Sequence, residues 1–237
     1  MKKRKVSEIL TSGLFIMMFL SFSTIISLVL ACLNINPSNM SNLAQHIYII
    51  FMEILFITLI IFRYKKEYKA NFDKFKKNYN SYFKKYLKYY LVGIAFMMIS
   101  NLILVTIFDG IANNEEAVRA TLKISPIYMY ISAVLLAPIL EESIFRFNVR
   151  KIIDEKWSFI ILSGVLFGLC HIVGQITNWY DILYIIPYSS LGIALARMYY
   201  ESDNIFTSVM FHLLHNGILV SLQFLVLWKR KFLFPYL

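Results

Sequence analysis

The sequence predicts an all-α fold, a polytopic transmembrane helical bundle of about seven to eight helices. Three observations predict it. Of 237 residues, 59% are hydrophobic and only 16% charged, against about 45–50% and 25% in a soluble domain. Mean hydropathy is +0.62. The apolar residues also gather into seven long runs separated by short polar breaks, each near the roughly 20 residues that a helix needs to cross a bilayer. An ordinary soluble domain is excluded. Cys32 and Cys170 both lie in apolar runs; such a pair makes no disulfide framework or cysteine zinc site and reads as two small core residues.

The first run, 9–33, follows Lys2-Lys3-Arg4-Lys5. Basic residues before an apolar run resemble a signal peptide, and Val29-Leu30-Ala31-Cys32 resembles a lipoprotein cleavage site. The run is nevertheless about 25 residues long, beyond the 7–15 of a signal-peptide core, so it is predicted as a retained helix. The second span, 46–62, is short and interrupted by Glu53. The remaining spans are 89–108, 127–147, 158–176, 179–200 and 205–228. Residues 1–120 thus form N-terminal transmembrane helices with a basic amphipathic segment at 63–88. Residues 121–230 form a helical core that carries the chemistry.

Positive charge sets the orientation. Residues 63–88 hold ten basic residues against Glu67 and Asp73, a net of +8 out of the chain's +10. Arg146, Arg150, Lys151 and Lys156 bracket the next loop on the same side. A multi-pass protein of the cell membrane with a cytoplasmic N-terminus puts all of these inside. Lys229-Arg230-Lys231 disagrees, because seven spans leave it outside. Within 63–88, Phe72, Phe75, Tyr79, Tyr82, Phe83, Tyr86 and Tyr90 recur at steps of three and four. This pattern predicts a helix lying on the cytoplasmic membrane surface, aromatic rings toward the bilayer and lysines toward anionic lipid. A basic aromatic segment between two membrane spans is a lipid contact, and no nucleic-acid partner is expected.

The chemistry begins with Glu141 and Glu142, which end the apolar run 132–140. A charge at mid-membrane depth costs about 2.5–3.5 kcal/mol on insertion scales, so two adjacent carboxylates need a reason. Glu142 and Arg146 are four residues apart and can pair on one helix face. Glu141 points about 100° away, free to face a cavity. A carboxylate removed from water is a stronger base, suited to activating water. A purely structural ion pair accounts for Glu142 and Arg146 but leaves Glu141 unexplained. Phe167 and His171 share a face one helical turn apart, so the ring shields or stacks on the imidazole. His212, His215 and Asn216 lie on the last span, where an imidazole and a carboxamide can donate to a developing oxyanion. His171, His212 and Glu141 also make an accepted zinc set, without the helical spacing of soluble zinc proteases.

Taken in order, these residues resemble the CPBP family of CAAX-processing and bacteriocin-processing membrane proteases, also called Abi. Its three motifs read here as Glu141-Glu142-Ser-Ile-Phe-Arg146, Phe167-Gly-Leu-Cys-His171 and His212-Leu-Leu-His-Asn216. Ala137-Pro138 before the first and Gly192 before the third agree. The resemblance covers about residues 125–220. It implies an intramembrane endopeptidase of the glutamic type with no essential cofactor, zinc being the alternative. Glu141 would activate water with help from His171, Glu142 and Arg146 would position the site, and His212 and Asn216 would form the oxyanion hole. A membrane-associated peptide or protein is the expected substrate, and Phe167 is expected to line its site. Two departures stand out: Phe147 occupies a position usually held by glycine, and His215 has no family role. Two other readings are a bacteriocin-immunity or membrane regulatory protein that acts without proteolysis, and an ion-coupled transporter. The transporter reading is disfavoured because the charged groups cluster instead of tracing a path across the bilayer.

Overall fold

The computed structural model describes residues 6–233, so Lys2-Lys3-Arg4-Lys5 falls outside the described residues. Those described fold as helices with no strand among them. Among the described residues five helices are long and apolar enough to cross a membrane, and a bent pair makes a sixth when the two are counted as one span. The protein is an integral, multi-pass helical bundle, as the sequence predicts.

The predicted first span is broken. Helices α1 (Val6–Leu20) and α2 (Phe22–Cys32) meet at Ser21 with a bend of 73°. Phe15 before the bend and Phe22 after it both pack on Phe56, with ring centroids 6.2 and 5.6 Å away. Helix α3 (Asn42–Arg63) supplies Phe56. Its 22 residues exceed the predicted span because Ser41 caps its start, the Ala44 N–H donating to Oγ at 3.2 Å. Glu53 does not interrupt it, because Ser132 Oγ donates to the buried carboxylate at 2.8 Å.

Helix α4 (Lys65–Phe108) corrects the expectation for 63–88. It is one unbroken helix of 44 residues, about 66 Å at 1.5 Å per residue. Residues 65–92 contain no glycine or proline, so nothing separates a surface helix from the following span. Part of the aromatic stripe turns toward protein, while Phe72, Tyr79 and Phe83 stay exposed. Phe72 and Phe75 meet Phe206, while Tyr86 and Tyr90 join Leu195, Met198 and Phe211. Phe75 meets Phe206, Phe83 meets Phe211 and Tyr90 stands edge-on to His215. The lysines of α4 stay exposed.

Asp109, in the left-handed region at φ 51°, ends α4. Helix α5 (Asn113–Ile124) then occupies a stretch that reads as loop in the sequence, with Arg119 paired to Glu115 at 2.9 Å. Helix α6 (Pro126–Ile152) runs 27 residues. It widens into π-helical turns at Tyr130–Leu136 and Ser143–Asn148, on either side of α-helical Ala137–Glu142. Pro138 cannot donate to the carbonyl four residues back, and its ring crowds that carbonyl; the wider turn relieves both. π turns of this kind often occur at functional sites.

Helix α7 (Lys156–Ile172) starts on the Glu155 carboxylate, which accepts from the N–H groups of Trp157 and Ser158 at 3.0 and 2.5 Å. Those two donors hold the Glu155 carboxyl below its usual range. The helix ends four residues before the predicted limit, where Gly174 takes φ +80°. The predicted sixth span resolves into a 3₁₀ turn, Trp179–Tyr184, leading into α8 (Ile185–Ser202). The chain closes with α9 (Ile205–Leu233). Helices α7 and α8 touch backbone to backbone. A Cβ added at Gly168 would lie 2.9 Å from Ser189 N, and one at Gly164 2.7 Å from Ile193 N. Small residues are what let membrane helices approach this closely.

One end of the bundle collects the basic groups. Lys151 pairs with Glu67, Lys156 with Glu201, and Lys74 Nζ donates to the Ser202 carbonyl. The far end of α9 lies against α5 and the start of α6, where Gln223 donates to Glu115 and Tyr130 to Ser221. An odd number of passes therefore separates the basic end from the end of α9.

Candidate active site

Helix α6 delivers the Glu pair between its two π turns, and α7, α8 and α9 close around it. Arg146 Nε donates to Glu142 Oε2 at 3.0 Å, both side chains fully buried. Arg146 Nη1 donates to the Ser163 carbonyl and Oγ at 3.1 and 3.0 Å. Ser163 Oγ in turn donates to the Phe145 carbonyl at 2.6 Å. The guanidinium carbon lies 5.0 Å from the Phe167 ring centroid. A buried charge this well paired and bonded can persist away from water, and it locks α6 to α7.

His212 on α9 ties the second carboxylate oxygen. Its Nδ1 donates to Glu142 Oε1 at 3.0 Å, and its Nε2 lies 3.8 Å from Glu141 Oε2. The imidazole therefore stands between the two glutamates. The Glu141 side chain is 18% exposed, and its Oε2 has no hydrogen-bond partner among the described residues. Glu141 is thus the accessible member of the pair, and Glu142 the fixed one.

Phe167 and His171 are side by side, ring centroids 4.5 Å apart, and Phe167 also stands edge-on to His212 at 5.4 Å. His171 Nδ1 donates to the Phe167 carbonyl at 2.8 Å, which leaves Nε2 as the nitrogen available to water or substrate. No hydrogen bond joins His171 to Glu141 among the described residues. Asn216 Nδ2 donates to the Ala133 carbonyl at 2.8 Å, tying α9 to the first π turn. His215 is buried against Tyr90, with Nδ1 3.5 Å from the phenol oxygen. Phe147 packs on Tyr64 and Tyr68, centroids 5.1 and 5.0 Å away, and so fills a contact with α3 and α4.

The sequence reading missed several supporting residues. Ser163 clamps Arg146; Tyr188 stacks on His171 at 4.7 Å and accepts from Asn114 Nδ2 at 3.3 Å. Tyr68 donates to Ser143 Oγ at 2.7 Å, one residue from the Glu pair. Hydroxyl partners carry no spacing signature; the one available signal is the Gly164-x-x-x-Gly168 step, which marks α7 as a closely packed helix. Among the described residues no three His, Cys, Asp or Glu side chains are grouped to hold a metal ion.

Residues 123–218, which contain all three motifs, match the family model described as type II CAAX prenyl endopeptidase Rce1-like. The chain is 27% identical over 115 residues to "Putative membrane peptidase YdiL" of Bacillus subtilis (strain 168), covering 47% of this chain and 43% of that protein. It is 27% identical over 142 residues to "UPF0177 protein YvdC" of Lactococcus lactis subsp. lactis (strain IL1403), covering 56% and 52%. The chain spans about half the length of these curated relatives. No solved structure matches.

Proposed function

We propose that the chain, whose residues 123–218 match the type II CAAX prenyl endopeptidase Rce1-like family model, is a membrane endopeptidase of the glutamic type, hydrolysing a peptide bond of a membrane-associated peptide or protein. The carrying observation is the division of labour within the Glu pair. Glu142 is committed to Arg146 and His212, while Glu141 keeps an unpartnered oxygen beside His212. In this reading Glu141 takes a proton from water as the water attacks the scissile carbonyl. His171 Nε2 assists in holding that water. The electrons of the carbonyl move onto its oxygen, and His212, its Nδ1–H held by Glu142, donates from a protonated Nε2 to the oxyanion. The N–H of Asn216 not bonded to Ala133 is the second donor. The oxyanion then re-forms the carbonyl, the C–N bond breaks, and Glu141 returns the proton to the leaving amine. Phe167 walls the site on the α7 side.

The basic end of the bundle faces the cytoplasm in this proposal, with the exposed lysines of α4 against anionic lipid. Glu141→Gln purified with its bound peptide identifies the substrate by mass spectrometry. Wild-type protein then cleaves that peptide, and the variant is slower by about 10²-fold or more, the scale of a general base. Equal rates overturn the assignment of Glu141. A cellular phenotype that survives Glu141→Gln supports a non-proteolytic immunity or regulatory role instead. Activity that persists after chelation supports the metal-free reading; stoichiometric zinc whose removal ends activity overturns it.

A further inference from the structure

The outer face of the bundle carries a second built feature, away from the Glu pair. Val92, Gly93 and Phe96 of α4 and Ser190, Ile193 and Ala194 of α8 line an open groove of about 310 Å³. Gly93 and Ala194 form its floor: a Cβ on Gly93 would stand 2.6 Å from that of Ala194, so the two backbones almost meet there. Val92, Phe96 and Ile193 form exposed apolar walls. From Ser190 to Arg197 the groove runs about 10 Å along the helix.

One end is apolar and the other is cationic. Tyr89 and Arg197 close the groove toward the basic end, the guanidinium carbon 4.3 Å from the Tyr89 centroid. Lys88 Nζ lies 5.1 Å from the same ring, and Lys85 Nζ 5.1 Å from the Tyr86 ring. The acidic group at this rim is Glu201, which pairs with Arg197 at 3.1 Å and Lys156 at 3.9 Å. Arg197, Lys156, Lys88 and Lys85 thus outnumber Glu201 at this end of the groove. A hydrocarbon wall of this depth with an excess of positive charge at its membrane-surface end matches an amphiphile with one anionic head and a straight tail.

We propose that this groove binds one anionic phospholipid molecule, its phosphate against Arg197 and Lys88 and one acyl chain along Val92, Phe96 and Ile193. The site differs from diffuse attraction by the lysine face of α4, because it needs both the rim charges and the open groove. It also reaches the catalytic helices: Ile193 follows Gly192, whose Cβ position would stand 3.0 Å from Phe167 Cδ1. The proposal does not depend on the chain being a protease.

Native mass spectrometry of the full chain in lipid-free micelles, titrated with phosphatidylglycerol or with phosphatidylcholine of identical chains, tests it. One phosphatidylglycerol is retained in preference. Arg197→Gln and Lys88→Gln each weaken retention about five-fold, the share of a single cation at a membrane surface. Val92→Trp, which fills the groove without touching a charge, also weakens it. Lys76→Gln with Lys77→Gln, on the exposed face far from the groove, changes nothing. Melting temperatures in the lipid-free state identify any variant that fails to fold, and the remaining variants then carry the test. Equal retention of both lipids overturns the proposal, as does an equal loss from the Lys76 and Lys77 changes, or a retained mass belonging to a peptide.

Discussion

Helices α4 and α6 both hold a stretch apolar enough to span a bilayer and both carry several charges, yet they dispose of those charges in opposite ways. The apolar window of α4 is 11% buried within the protein and that of α6 is 39% buried. On α4 the lysines lie in the N-terminal portion and stay exposed, where water or lipid headgroups solvate them. On α6, Glu141, Glu142 and Arg146 sit within the span, and Glu142 and Arg146 have no exposure at all. The first arrangement costs little and can be changed freely. The second is tolerable because Glu142 and Arg146 pair with each other and are held further by His212 and Ser163. The backbones follow suit: α4 is unbroken, while α6 opens into π turns on both sides of its glutamates. Burying charge inside a span constrains the whole neighbourhood, and exposing it at the end of a span constrains almost nothing.

The strongest way to break the contrast is Arg146→Met. It strands Glu142 in the core and should cost about 3–5 kcal/mol, the range for removing one partner of a buried pair. Unfolding in detergent, followed by circular dichroism, measures it. Adding Glu142→Gln to the same chain should recover much of that stability, and activity should stay lost. Full stability in the single variant would show that α6 does not depend on its ion pair. Next is Gly168→Leu, which forces side-chain atoms into the Ser189 backbone and should cost about 1–3 kcal/mol by overpacking; a neutral result would mean that α7 and α8 separate easily. Tyr68→Phe removes the hydroxyl that reaches Ser143 and should cost about 1 kcal/mol, since Ser143 Oγ still donates to the Ile139 carbonyl. The smallest effect belongs to the exposed face of α4. Lys76→Gln with Lys77→Gln should stay within about 0.5 kcal/mol, and a larger loss would show that this face is packed against something.

The apolar runs were legible because hydropathy responds to composition over a whole window, and composition survives errors of a few residues. The break at Ser21 was not legible: it depends on Phe15 and Phe22 sharing Phe56, a contact between helices. The aromatic stripe of α4 was legible as a stripe, but that Tyr86 and Tyr90 pack against protein was not. Periodicity says that one face is apolar but not whether lipid or another helix covers it, and here Phe206 and Phe211 cover much of it. Glu53 looked like an interruption because its partner, Ser132, lies 79 positions away.

By itself the sequence determined that the chain spans a membrane, that Glu142 and Arg146 can share a helix face, and that three motifs lie on three apolar segments. Local spacing and composition suffice for each of these. Only the tertiary structure decided that His212 stands between the two glutamates, that Ser163 fixes the far side of Arg146, that Asn216 is tied to the π turn before Pro138, and that Phe147 faces Tyr64 and Tyr68. Each joins residues on different helices, and such contacts depend on how helices cross and rotate against one another, which no single helix's pattern specifies.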